Sequence, residues 1–176
     1  MRRVRYSVAM SLDGYIAGPE GEIDWLPTDI GLDWGAFMGR FDTVLMGRRT
    51  FEFAMSSGGG GGDGGTGMRT YVFSRTLKQP DHPKVTIVAD NAGDVVNALR
   101  EESGKEIWLM GGGDLFRSLL EAGVVDVVEI GLVPILLGRG IPFLPPSARS
   151  VTLKEPEITR YGSGIVMLTY DVVREE

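Results

Sequence analysis

Residues 107–120 read IWLMGGGDLFRSLL. An apolar run of strand character stops at three consecutive glycines, and a pattern of helical period starts at once. Glycine is costly in regular structure because it gives up the most backbone freedom on folding. Three in a row need a reason. Either another backbone or a ligand comes closer than a Cβ permits, or the turn is simply tight. A strand running directly into a helix also suggests an α/β unit, and the flanking sequence repeats that pattern.

Upstream, KVTIVAD (84–90) reads as a strand, and DNAGDVVNALREE (90–102) as a helix capped by Asp90 or Asn91 and ending near Gly104. TYVFS (70–74) is a further strand. TVLMG (43–47) is a short buried strand followed by the helical RRTFEFAM (48–55). Trp34, Phe37, Met38 and Phe41 fall at i, i+3, i+4 and i+7, which predicts one apolar helix face over 33–41. At the start, VRYSVAM (4–10) is a first strand, and Asp13-Gly14 is a turn signal. Downstream, VVDVVEIGLVPILLG (124–138) is strand-like, with Pro134 ending or bending it. The last segment reads as two strands meeting at Gly162-Ser163-Gly164. Alternating strands and helices followed by strands alone predict a three-layer α/β/α domain. Its central sheet is mostly parallel, with an antiparallel C-terminal hairpin.

The chain has 176 residues, enough for one domain with a sizeable core. A net charge of −6 argues against a general nucleic-acid binder. No apolar stretch reaches the length of a membrane span, and MRRVRYSVAM lacks a signal-peptide core, so a cytoplasmic protein is expected. There is no cysteine, which removes disulfides and thiolate metal sites, and no metal site is expected. The one histidine, His82, stands before Pro83 in a turn-like stretch and reads as a loop residue. Eight of the twelve residues 56–67 are glycine. No Gly-Lys-Ser/Thr follows them, so this segment reads as a surface loop, or as a flap over a site, rather than a phosphate-binding P-loop.

In an open α/β sheet, ligands bind beyond the C-terminal ends of the strands. Three predicted strand ends carry related residues: Gly47-Arg48-Arg49-Thr50, Ser74-Arg75, and Gly111-Gly112-Gly113-Asp114. Two of them open helices, whose free N–H groups and partial positive charge receive anions. Arginine adds forked, permanent donors suited to phosphate. Each feature alone is an ordinary surface charge or turn. Together they point to one ligand with several phosphates, such as a dinucleotide. Asp33 is the remaining acid of interest. On the edge of a buried helix face a carboxyl is partly withdrawn from water and suits proton delivery; at a helix start it is a favoured cap. Spacing leaves both open.

VAMSLDGYIAG, VLMGRRTFE, YVFSRT and the stretch from 107 to 144 together resemble the dihydrofolate reductase-like superfamily. They are most similar to stand-alone relatives of the C-terminal reductase domain of bifunctional riboflavin-biosynthesis enzymes. The resemblance implies NADPH binding and hydride transfer to a small heterocyclic or sugar-like substrate, as in 5-amino-6-(5-phosphoribosylamino)uracil reductases. A dihydrofolate or pterin reductase is the alternative within enzymology; a non-catalytic NADP-binding module is the alternative outside it. The resemblance sets Ala9 and Ile16 beside the nicotinamide. It sets Arg48, Arg49 and Thr50 at the adenosine and phosphate part, with Ser74 and Arg75 near the 2′-phosphate. Gly111, Gly112, Gly113, Asp114, Leu115 and Phe116 would receive the pyrophosphate. Asp33 falls where dihydrofolate reductases keep their substrate carboxylate, and a cis peptide is expected between Gly111 and Gly112. The folate-tail arginine is replaced by Met68. A homodimer is the assembly expected by resemblance.

Overall fold

The computed structural model describes residues 1–57, 63–147 and 149–174. Residues 58–62 of the glycine-rich segment 56–67 lie outside the described residues. An eight-stranded sheet forms the middle layer, with strand order β5-β4-β3-β6-β1-β7-β10-β9. Its strands are β1 (Val4–Ser11), β3 (Phe41–Gly47), β4 (Arg69–Phe73), β5 (Thr86–Val88), β6 (Glu106–Gly111), β7 (Val127–Val133), β9 (Glu157–Arg160) and β10 (Val166–Asp171). Two short strands, β2 (Tyr15–Ala17) and β8 (Ile141–Pro142), pair separately. The six strands from β5 to β7 run parallel, and β10 and β9 add antiparallel.

Alternation along the central strands shows why the sheet is covered on both faces. Val4 and Tyr6 belong to a core shared with Leu115, Phe116, Leu119, Val96 and Leu99. These come from α3 (Ala92–Glu101) and α4 (Gly113–Glu121). Val44, Met46 and Trp108 face the other way and pack with Phe37 and Phe51, from α1 (Trp34–Gly39) and α2 (Arg48–Ser56). Each fully buried large apolar side chain contributes about 1.5–3 kcal/mol through burial. The three layers expected from the sequence are therefore present. No described helix is long and apolar enough to cross a membrane.

One predicted element is shorter than its pattern. The helical spacing of Trp34, Phe37, Met38 and Phe41 suggested a helix to residue 41, but α1 stops at Gly39 and Phe41 opens β3. Phe37 is buried, whereas Trp34 remains 55% exposed. Gly35 and Gly39 weaken the six-residue helix. Phe41 packs against Phe37 and Trp108 from the strand instead. The strand-like run 124–138 is also shorter in the structure: β7 spans Val127–Val133 and stops before Pro134. The terminal hairpin closes where Gly164, at φ +87°, donates its N–H to the Tyr161 carbonyl.

Candidate functional site

Because β3, β4 and β6 run parallel, the residues that follow them gather at one sheet edge. Gly47 leads into α2, Phe73 into Ser74, and Gly111 into the turn before α4. Among the described residues no side chain caps α2 or α4. The two helix starts also touch: a Cβ at Gly47 would stand 3.5 Å from the Gly112 nitrogen. The first helical bond of α4 runs from the Phe116 N–H to the Gly112 carbonyl. The N–H groups of Gly113, Asp114 and Leu115 precede it and have no acceptor among the described residues. Two uncapped helix N-termini in contact make a place for an anion with more than one phosphate.

The three glycines turn out to have different reasons. Gly111 lies at φ +132°, a conformation L side chains rarely adopt, and the Gly111-Gly112 peptide is cis as expected. Gly112 is open: a Cβ there would meet nothing nearer than the Thr50 hydroxyl at 3.6 Å. Gly113 is not open. A Cβ there would stand 2.7 Å from the Pro142 carbonyl oxygen and 3.2 Å from that of Phe143. The third glycine admits the chain's own segment, not a ligand.

Of the residues from Gly111 to Phe116, Leu115 and Phe116 turn their side chains inward. Both are buried in the core, and Phe116 stacks on Tyr6 with centroids 3.9 Å apart. Leu115 can offer a ligand only its N–H, and Phe116 has spent its own on Gly112. Tyr6 is fully buried, and burial pushes its phenol above the usual range. Asp114 is exposed and pairs with Arg117 at 3.5 Å.

The arginines stand at the same edge. Arg48 donates to the Thr76 hydroxyl at 3.3 Å, and its Nε is 3.9 Å from Glu52. Arg75 is highly exposed and lies 3.5 Å from Asp90. Among the described residues the Arg49 side chain has no ionic or hydrogen-bonding partner, and it is exposed. Ser74 stands at the head of the same turn. Its Oγ accepts from the Thr76 and Leu77 N–H groups at 3.2 and 3.1 Å, so it shapes its own turn. Spacing gave no sign of Thr76, which joins that turn to Arg48. His82 is a loop residue with its ring edge against Phe51.

Ala9 sits on β1 in register with Gly131 on β7, which pairs with Met167 on β10. Ile16 lies in β2, half-buried. Asp13 proves to be more than a turn residue. Its carboxylate accepts from the Ser11 hydroxyl at 2.7 Å and from the Leu137 and Gly138 N–H groups at 3.1 and 2.6 Å. The Ser11 bond, with the two amides, holds the Asp13 carboxyl below its usual range against the opposing desolvation. It ties the loop after β1 to the segment after β7. The Ser-x-Asp-Gly spelling was a usable signal for this.

Asp33 is the N-cap of α1 and accepts from the Ala36 N–H at 2.9 Å. It is exposed, so the desolvation expected of a proton donor on a buried face is missing. On the same sheet face lie ion pairs that no sequence pattern disclosed. Arg40 grips Glu129 with contacts of 2.8 and 3.3 Å while lying over the Phe37 and Phe41 rings. Arg5 bonds Glu106 at 2.7 and 3.1 Å. Burial disfavours the Glu106 charge, yet the Arg5 bond and charge outweigh it and keep the carboxyl below its usual range.

Comparison with known proteins now bears on this geometry. The family model of the RibD C-terminal domain matches residues 2–167. This chain belongs to that family. It is 32% identical to the uncharacterised YyaP protein of Bacillus subtilis strain 168, over 96% of this chain and 94% of that protein. A crystal structure of a candidate riboflavin biosynthesis protein from Shewanella sp. PV-4 superposes with a TM-score of 0.82. The two are 28% identical, covering 99% of this chain and all of the other. A Thermotoga maritima deaminase and 5-amino-6-(5-phosphoribosylamino)uracil reductase superposes at 0.65 with 19% identity, covering 98% of this chain and 57% of that one. The last likeness concerns the fold alone.

Proposed function

We propose that this chain is an NADPH-dependent reductase that transfers hydride to a small heterocyclic molecule. The observation that carries the reading is the contact of two uncapped helix N-termini at Gly47 and Gly112, flanked by Arg48, Arg49 and Arg75. The residues fit a dinucleotide: the open side of Gly112 leaves room for a phosphate against the backbone, and the amides of Gly113, Asp114 and Leu115 are free to donate. Bound there, NADPH would supply the hydride. Thr50, 3.6 Å from the Cβ direction of Gly112, adds a hydroxyl to the same corner. Arg49 has no competing partner among the described residues and would bind the 2′-phosphate, with Arg75 beside it once released from Asp90. Ser74 holds the turn that presents Arg75. Ala9 and Ile16 would border the nicotinamide, and Asp13 would fix the loop that carries Ile16.

A folate substrate is less well supported. Met68 packs against the core beneath α1 and α2 and brings no cation to a glutamate tail. The test is steady NADPH oxidation with a panel of pyrimidines, pterins and dihydrofolate. Turnover with one of them supports the reductase. Tight NADPH binding with no oxidation of any would favour a binding module.

A further inference from the structure

Tyr6 brings a phenol oxygen into the apolar cluster that it shares with Val4, Leu45, Leu109, Phe116 and Val128. The side chain is fully buried, and its hydroxyl has no hydrogen-bond partner among the described residues. Buried donors are nearly always paired, and a buried tyrosine usually keeps a partner for its hydroxyl. A phenylalanine would fill the same space without withdrawing an oxygen from water. The core alone gives that oxygen no use.

The ring is clamped in one direction. It stacks on Phe116 of α4 with centroids 3.9 Å apart and meets Phe143 at 5.4 Å, and those two rings lie 5.2 Å from each other. Its hydroxyl half faces the first glycine of the turn. A Cβ on Gly111 would stand 3.9 Å from Cε2, the ring carbon next to the one that bears the oxygen. Thr50 closes the other side, its hydroxyl also 3.9 Å from that point and 3.6 Å from a Cβ on Gly112. Two hydroxyl-bearing side chains thus flank Gly111, and the free amides of Gly113, Asp114 and Leu115 follow directly at the start of α4.

We infer that Tyr6 is a further cofactor-binding residue of this site, its hydroxyl donating to a pyrophosphate oxygen seated on the Gly111–Gly112 turn. This rests on the dinucleotide reading above. It gives the buried oxygen its partner from outside the chain, at the one corner where helix amides already point at an anion.

Helix starts offer an anion N–H donors from one side, and the phenol adds a donor from beneath the turn. Gly111 and Gly112 carry no side chains, so a small movement of their backbone brings the two oxygens within hydrogen-bonding distance. The hydroxyl has no bond to the protein to give up first. Its ring is already fixed between Phe116 and Phe143, so little side-chain freedom is lost on binding. A bond to a charged acceptor is also stronger than one between neutral groups. Burial pushes the Tyr6 ionisation above the usual range, which keeps the group an O–H donor well beyond neutral pH.

The test is Tyr6→Phe in the full chain, a change that removes one oxygen and keeps the stacked ring. Calorimetric titration with NADP⁺ should show binding about tenfold weaker or more, the loss expected for a hydrogen bond to a charged group. Adenosine 2′-monophosphate, which has no pyrophosphate, should bind parent and variant alike. The free variant should melt at or above the parent's temperature, because the hydroxyl has no bond to the protein to lose. Unchanged NADP⁺ affinity would overturn the inference while leaving the cofactor reading intact. A lower melting temperature with both ligands weakened equally would make Tyr6 a purely structural residue and overturn it too. A second readout uses the parent protein with its tyrosines labelled by ¹³C at Cζ. The Tyr6 signal should move when NADP⁺ is added, and a signal that stays in place would count against the inference in the same way. A parent that binds neither NADP⁺ nor NADPH would remove the cofactor reading and this inference with it.

Discussion

Asp33 accepts the Ala36 N–H at 2.9 Å and stands in water, so its first job is to start α1. Loss of such a cap costs about 0.5–2 kcal/mol, whereas asparagine caps nearly as well. Asp33→Ala should therefore lower the melting temperature, and Asp33→Asn should leave it almost unchanged. Turnover of Asp33→Asn should stay within a few-fold of the parent. A loss of about a hundredfold, the scale of a missing general acid, would restore a proton-transfer role. Asp13 makes a different prediction. Its folded-state pKa is depressed by the Ser11 hydroxyl and the Gly138 and Leu137 amides. Its contribution to stability is therefore present above the unfolded value near 4 and is lost as pH falls through the folded value. Asp13→Asn should flatten that acid limb in thermal melts from pH 7 downward. An unchanged acid limb would show that the loop tie does not depend on the carboxylate charge.

The strand–glycine–helix units carry the third prediction. At Gly113 a Cβ would collide with the Pro142 carbonyl oxygen at 2.7 Å, while at Gly112 it has room. Gly113→Ala should destabilise the fold by about 1–3 kcal/mol, the usual cost of overpacking. Gly112→Ala should cost little stability but weaken NADPH binding, because its methyl would occupy the open side. Denaturant melts and calorimetry on both variants separate the two effects, and equal destabilisation would contradict the assignment. The same units show what was legible in the sequence. An apolar run ending in glycine before a helical period marked β3–α2 and β6–α4 correctly. The end of α1 was misread because Phe41 prolongs the helical spacing by chance while serving a strand. The spacing of Leu115 and Phe116 along α4 is that of a core face, which leaves the Leu115 N–H and not its side chain for a ligand. Gly113 could not be resolved from sequence, since its neighbour lies about thirty residues away in the chain and is met only after folding.

At the scale of the whole molecule, parallel strand order brings residues 47–50, 74–76 and 111–115 to a single edge. The sequence disclosed this because strand ends in an α/β sheet share a side. The pairings across the sheet, such as Arg40 with Glu129, join residues 89 apart, and nothing local announces them. The central claim is that this edge is an NADPH site with Arg49 and Arg75 turned to the 2′-phosphate. Calorimetric titration of the protein with NADPH and with NADH tests it most directly. The account predicts tighter NADPH binding by about 1–3 kcal/mol per charge-assisted contact, with the preference reduced in Arg49→Ala. Equal affinity for the two cofactors, or a preference untouched by that substitution, would contradict it.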